Sequence, residues 1–364
     1  MFDWFFSLFS HDIGIDLGTA NILVHVRGKG IIIREPSIVA RHKKSKEIIA
    51  IGREAKKMLG KTPASIETIR PLRGGVIADF DATAAMIRHY IKEAHSVEAF
   101  FPKSLIHPKV VIGIPSAITE VQRRAVWEAA LTAGARSAYL IEEPMAAAIG
   151  AEVSVFAPTG VMIVDIGGGT TEIAIISLGG IVVSRSLRQA GDDMDSAILH
   201  YVRLRHGMLL GEKTAEDIKI KIGSAYENVV HRAKIKSEKE EEKEKDDVMI
   251  VRGRDIETGL PKSLKLSASD IREALSPVLT RIIEGIADVL EEAPPELTSD
   301  ILEHGILLTG GGAYVQGLDK LIMERTHIPV VVADEPLTTV VRGTAKVLED
   351  EKLLSRVKVT GGLQ

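Results

Sequence analysis

The chain has 364 residues, 45% of them hydrophobic, with a formal net charge of −4 and no cysteine. That length suits two domains with a large core, the charge argues against a nucleic-acid partner held by bulk electrostatics, and the missing thiols exclude disulfides and thiolate metal sites, as fits a reducing cytoplasm. The eleven histidines show no paired metal-ligand spacing and read as isolated surface or core residues.

The first nine residues hold five of the chain's fifteen aromatics. Phe2, Phe5, Phe6 and Phe9 recur at i, i+3, i+4 and i+7, so they share one helical face, which Trp4 and Leu8 widen. The stretch is too short to span a bilayer, which takes about 20 apolar residues, and it lacks the basic start of a signal peptide. A short interfacial anchor fits best. Packing on the protein's own core is the other reading, and so dense a stripe would need a groove to cover it.

Next comes a β-branched run ending in Asp16, then Leu17, Gly18, Thr19, Ala20 and Asn21, then a second β-branched run, Ile22-Leu23-Val24. This pattern predicts a hairpin whose tight turn faces a ligand. Glycines let backbone N–H groups approach phosphate oxygens, and successive N–H groups in a turn form an anion-binding concavity. The Asp at the strand end can hold the water shell of Mg²⁺, which prefers oxygen ligands beside phosphates. One such segment is equally an ordinary glycine-containing turn.

Residues 36–63 read as a small insertion, and 83–93 as a helix leading towards a strand at Val110-Val111-Ile112. Between these two, Phe100 and Phe101 fall in a predicted loop; paired aromatics there suggest a second apolar contact surface, with core packing as the alternative. After Pro115 the pattern Thr119-x-x-Gln122 fits a helix capping box.

The hairpin plan then recurs. Val164 and Asp165 lead through Ile166, Gly167, Gly168, Gly169 and Thr170 into Thr171, Glu172 and the run Ile173-Ala174-Ile175-Ile176. The same strand–Asp–turn–strand order twice in one chain makes coincidence hard to sustain. Residues 191–264 read as a second insertion. Within it Glu216 and Lys219 stand three apart on a predicted helix, where an exposed ion pair between them is the plain explanation. Residues 234–247 alternate charge without an aromatic and read as a solvated helix face or disordered loop. A third glycine element, Gly310, Gly311, Gly312 and Ala313, follows an apolar run and precedes a helix-like segment, suiting close backbone approach by a ligand. No G-x-x-x-x-G-K-[ST] loop occurs in the chain.

Segments 12–21, 164–172 and 308–312 resemble the two phosphate loops and the adenosine loop of the actin, sugar-kinase and DnaK-type chaperone superfamily. Within it, residues 12–346 are similar to the MreB family of bacterial actin homologues, most specifically at 74–80, 141–150 and 191–195. The resemblance implies an α/β actin-like ATPase fold: two related domains, each a mixed sheet flanked by helices and carrying a smaller inserted subdomain, with nucleotide in the cleft between them. The expected division is a membrane-binding segment at 1–10; a first domain of 11–35, 68–153 and 337–364, with 36–67 inserted; and a second of 154–190 and 265–336, with 191–264 inserted.

The resemblance also implies roles. ATP and Mg²⁺ are the expected cofactors, with Asp16 and Asp165 holding the hydrated ion. Gly18, Thr19, Ala20 and Asn21 face the β- and γ-phosphates from one side and Gly167, Gly168, Gly169 and Thr170 from the other. Gly310, Gly311, Gly312 and Ala313 approach the nucleoside or α-phosphate, Glu216 the ribose hydroxyls and Lys219 the base. Gln122 matches the family's water-positioning residue, but most family members have Glu there. An amide can orient water and cannot accept its proton, so the capping role stays open beside the catalytic one.

A filament-forming ATPase of this kind would polymerise with itself, lie peripherally on the inner face of the cell membrane through Phe2, Trp4, Phe5, Phe6, Phe9, Phe100 and Phe101, and guide cell-wall synthesis and morphogenesis proteins that set cell shape. A small-molecule kinase of the same superfamily is the alternative, with Asp192, Asp193 or Asp195 as candidate base. A chaperone nucleotide domain is disfavoured, because the chain ends soon after the last nucleotide-domain helix with no peptide-binding module.

Overall fold

The computed structural model describes residues 11–94, 107–227 and 247–359. The first half runs β1 (Ile13–Leu17), β2 (Asn21–Val26), β3 (Gly30–Pro36), β4 (Val39–His42), β5 (Ile48–Ile51), α1 (Arg53–Met58) and β6 (Ile66–Ile69). It continues through β7 (Leu72–Arg73), β8 (Val76–Ile77), α2 (Phe80–Ala94), β9 (Lys109–Ile114), α3 (Glu120–Ala133), β10 (Ser137–Glu142) and α4 (Glu143–Gly150). The second runs β11 (Val161–Ile166), β12 (Thr171–Ser177), β13 (Gly180–Leu187), α5 (Gly191–His206), β14 (Met208–Leu209), α6 (Glu212–Ile222), β15 (Val248–Asp255) and β16 (Pro261–Ser267). It closes with α7 (Ala268–Glu292), α8 (Pro295–His304), β17 (Ile306–Thr309), α9 (Leu318–Thr326), β18 (Val330–Val332), α10 (Thr339–Glu349) and α11 (Glu351–Val357).

Two five-stranded sheets organise these elements, in the orders β10-β9-β1-β2-β3 and β18-β17-β11-β12-β13. The two orders are the same plan built twice. In each, the hairpin strands pair antiparallel, while the first strand of the hairpin pairs parallel with a strand that returns much later. Both faces of the central strands are covered, which is why they read as unbroken apolar runs: Ile22, Leu23 and Val24 are all buried, as are Ile173, Ala174, Ile175 and Ile176. The mixed α/β architecture with two sheet-bearing halves is the one the sequence predicts.

Helix α2 buries Met86, Ile87, Tyr90, Ile91 and Ala94, a stripe at helical spacing. On the other side α10 packs on β1, β9 and β2, and crosses α4. That crossing is closed by glycines on both helices. A Cβ on Gly150 would run into the Thr339 carbonyl, and one on Gly343 into the Ala146 carbonyl, so the two backbones touch where any larger residue would hold them apart. One buried cluster here takes Val111 and Ile141 from the first sheet, Ile163 and Ile176 from the second, and Met145, Ala146, Val340 and Val347 from the two helices. The halves are therefore joined through a shared apolar seam.

The two insertions differ in how they are held. Strands β5-β4-β6 form a small sheet over a core of Ile38, Ala40 and Ala55. Strands β14-β15-β16, with α5 and α6, instead share the main core of the second half through residues such as Met194, Ile198, Met208 and Ile218.

Among the described residues no helix is long and apolar enough to cross a membrane. Phe2, Trp4, Phe5, Phe6, Phe9, Phe100 and Phe101 lie outside the described residues, as do 234–246 of the charged run.

Candidate functional site

The matched hairpins place Asp16 and Asp165 at equivalent points, each one residue before its strand ends. In the parallel ladders Asp16 stands beside Gly113 and Asp165 beside Thr309. The turns that follow meet face to face. A Cβ on Gly168 would overlap the Ala20 methyl and one on Gly169 the Thr19 side chain, so glycine is what lets the loops come together.

Between them lies a cavity of about 530 Å³. Its wall includes Asp16, Gly18, Thr19, Ala20 and Asn21 from the first hairpin; Asp165, Gly167, Gly168, Gly169 and Thr170 from the second; Gly310, Gly311 and Gly312; and Glu216 and Lys219 from α6. Two predicted site residues stand outside this wall. Ala313 is buried behind it, in a single 3-10 turn, Gly311–Tyr314. The third glycine element leads into this turn, and the α-helix begins only at Leu318. Gln122 caps α3: its Oε1 accepts the Thr119 N–H at 2.9 Å while its own N–H donates to the Thr119 hydroxyl at 3.3 Å. The capping box read from the sequence is formed in full.

Electrostatics mark the cavity floor. Burial pushes the Asp16 carboxyl up to about 7. Asp165, 6% exposed, is raised well above its ordinary value by burial and by the nearby carboxyls of Asp16 and Glu172. Glu143, at the first turn of α4, is raised well above the usual range by burial and then by Glu172, Asp16 and Asp165. Burial raises all three groups, like charge adds to it at Asp165 and Glu143, and no favourable partner among the described residues offsets either. Such a set suits a bound cation, which would relieve the repulsion. Among the described residues no three acidic or histidine side chains converge to ligate an ion directly, so Asp16 and Asp165 fit an ion that keeps its own waters, as Mg²⁺ does.

Glu216 and Lys219 share a face of α6 but do not pair with each other. The Glu216 carboxylate accepts from Lys56 Nζ at 2.6 and 2.9 Å, and Lys219 donates to the Gly191 carbonyl at 2.9 Å and pairs with Asp195 at 2.8 Å. The exposed i,i+3 pair is replaced by contacts to distant segments. A second bridge spans the cleft nearby, Arg70 to Asp192 at 2.9 and 3.0 Å. Asp193 accepts the Ala190 N–H at 3.1 Å. All three acidic side chains proposed as a kinase base are thus engaged, although burial still raises Asp192 and brings Asp195 up to about 6.

Sequence reasoning missed Lys56, Arg70 and Glu143 as wall residues. Only Glu143 left a local sign, an acidic pair Glu142-Glu143 set directly before Pro144 at a strand-to-helix junction. Lys56 and Arg70 meet partners 160 and 122 residues away, and no short-range pattern carries that information.

Comparison with known proteins agrees with this architecture. The family described as MreB/Mbl protein matches residues 10–356. The cell shape-determining protein MreB of Escherichia coli strain K12 is 50% identical over 349 residues, 95% of each chain. A crystal structure of MreB5 of Spiroplasma citri bound to ADP superposes with a TM-score of 0.85 at 37% identity, covering 95% of this chain and 98% of that one. The same protein bound to AMPPNP gives 0.84 at 36%, covering 95% and 97%. The chain belongs to the MreB/Mbl family.

Proposed function

We propose that the protein binds ATP with Mg²⁺ between its two glycine hairpins, hydrolyses it slowly, and uses the bound nucleotide to assemble with itself into filaments. These filaments lie on the inner face of the cell membrane and help set cell shape by organising cell-wall synthesis. The observation that carries this reading is the pair of equivalent carboxyls, Asp16 and Asp165, with no hydrogen-bond donor among the described residues, at the mouths of two touching glycine turns. The nucleotides bound to the Spiroplasma relative and the cell-shape role named for the Escherichia coli one support it. The division into two domains with two insertions follows the doubled sheet.

Phosphoryl transfer to water needs positioning, charge neutralisation and a group that orients the attacking water. Bound Mg²⁺ would supply the neutralisation. Backbone N–H groups at 18–21 and 168–170 would hold the phosphates, the Gly167 N–H being spent on the Thr170 carbonyl at 2.8 Å. For the water, Glu143 is better suited than Gln122: it lines the cavity and stands near both aspartates, whereas Gln122 stands outside the cavity wall with its side-chain oxygen taken up by the helix cap. Glu143 as a carboxylate can both orient water and accept its proton.

Glu143→Ala is expected to lower turnover by at least about 100-fold with ATP affinity retained. Loss of turnover in Gln122→Ala, with Glu143→Ala unaffected and both folded, would return the role to Gln122. Assembly and membrane binding are tested by electron microscopy of the full chain with Mg-ATP on anionic liposomes, beside a chain lacking residues 1–10. Filaments on lipid in the first and detached in the second are expected. A folded protein that never assembles would favour the small-molecule kinase, and a phosphoryl-acceptor screen would follow.

A further inference from the structure

Glu172 puts a carboxyl group at a sheet position that is only 1% exposed. It stands on β12 directly opposite Asp165. Its Oε2 accepts two hydrogen bonds from one residue, the Ser116 N–H at 3.0 Å and the Ser116 hydroxyl at 2.7 Å. Its Oε1 accepts the hydroxyl of Ser186, its neighbour across the ladder on β13.

These partners belong to different halves. Ser186 lies in the same sheet as Glu172. Ser116 follows the end of β9, the strand whose Gly113 stands beside Asp16 and against the Glu143 side chain. A single carboxylate therefore ties Asp165's hairpin to the strand end that borders Asp16 and Glu143. The same seam is closed from a second side: the Gly75 N–H donates to the Thr19 hydroxyl at 3.0 Å, and a Cβ on Gly75 would press on both Pro115 and Thr170. There is little room for the two hairpins to slip past one another.

We propose that Glu172 is a positioning residue that fixes the spacing of the two phosphate hairpins through Ser116, so that the hydrolytic step depends on it more than nucleotide binding does. This rests on the ATPase reading above. Binding draws on each loop's own N–H groups, which survive a small shift between the halves. Hydrolysis needs Asp16, Asp165 and Glu143 in register at once, and a misplacement of about 1 Å can cost on the order of 100-fold in rate.

Two hydroxyl deletions on the same carboxylate separate this role from simple burial. Ser116→Ala removes a tie between halves, and Ser186→Ala removes one within a half. In the full-length protein with Mg-ATP, Ser116→Ala is expected to lower kcat by roughly 5- to 10-fold, about the value of one ordinary hydrogen bond, since the Ser116 N–H still holds the carboxylate, with the Kd for ATP within about 3-fold of wild type. Ser186→Ala is expected to stay within about 2-fold in both. Glu172→Gln, which keeps an acceptor for Ser116, should retain most of the turnover that Glu172→Ala loses. Equal losses in the two serine variants, or a Kd that rises in step with the fall in kcat, would overturn the proposal. Absence of turnover in the wild type would instead overturn the ATPase reading, which the wild-type assay reports separately.

Discussion

The two hairpins share strand order, turn type and the place of their aspartates, and differ at the residue directly across the ladder from each aspartate. Opposite Asp16 stands Leu23; opposite Asp165 stands Glu172. Both positions are almost wholly enclosed, at 2% and 1% exposure. The first hairpin solves enclosure with an apolar side chain. The second places a carboxyl there and answers it with three hydroxyl and backbone donors. A repeated fold thus fixes where the cavity-lining carboxyls sit, while the position across the ladder from each one is free to specialise. In the second hairpin that freedom was used to reach across to the other half.

Making the first hairpin resemble the second is expected to have the largest effect. Leu23→Glu would place a carboxyl at a 2% exposed position beside Asp16 and without the serine donors that Glu172 has. An uncompensated buried charge costs on the order of 3 kcal/mol or more, and the group can lessen that cost by taking up a proton. Chemical denaturation should therefore show a large loss at about pH 8 and a smaller one at about pH 5. A loss equal at both would mean the new carboxyl reaches solvent. The converse change, Glu172→Leu, removes a charge but strands the Ser116 N–H and two hydroxyls. Buried donors left without partners cost about 1–3 kcal/mol each unless water reaches them, so a smaller but clear destabilisation is expected, measured by the same denaturation.

The shared part of the hairpins was legible in the sequence because it is local: Asp, glycines and hydroxyls between two β-branched runs declare a tight turn between paired strands within about ten residues, and both turns line the cavity. The divergent part was not. Glu172 is visible in the sequence, but its partner Ser116 is 56 residues away, brought near by a parallel return strand. The assignment of water orientation to Gln122 met the same limit. The local pattern Thr119-x-x-Gln122 predicts a helix cap, and the cap is there. Which helix N-terminus opens on the cleft depends on topology: of α3 and α4 it is α4, with Glu143, that lines the cavity. Glu216 and Lys219 were singled out by the family resemblance, and both line the cavity wall; the exposed pair that their shared helix face suggests is absent, because their charges are answered by Lys56 and Asp195, contacts that only the folded chain creates.

The narrowest effect, confined to one pH interval, concerns the aspartates themselves, and its sign follows from their surroundings. The Asp16 carboxyl is raised from 3.8 to about 7 by burial, so the folded protein without nucleotide binds a proton there that the unfolded chain releases. Its contribution to stability is present below the ordinary carboxyl range and is lost as pH rises through about 7. Stability of the nucleotide-free protein should decline over that interval, and Asp16→Asn, which cannot ionise, should flatten the decline. Asp165 moves in the same direction but sits opposite another carboxyl, so Asp165→Asn should change Glu143 and Glu172 as well and broaden the transition instead of removing a single step. Mg²⁺ with nucleotide favours the ionised carboxyls, so its stabilising shift in melting temperature should grow from about pH 6 to about pH 8. A shift that stayed constant with pH in the wild type would mean that these carboxyls are already ionised without the cation.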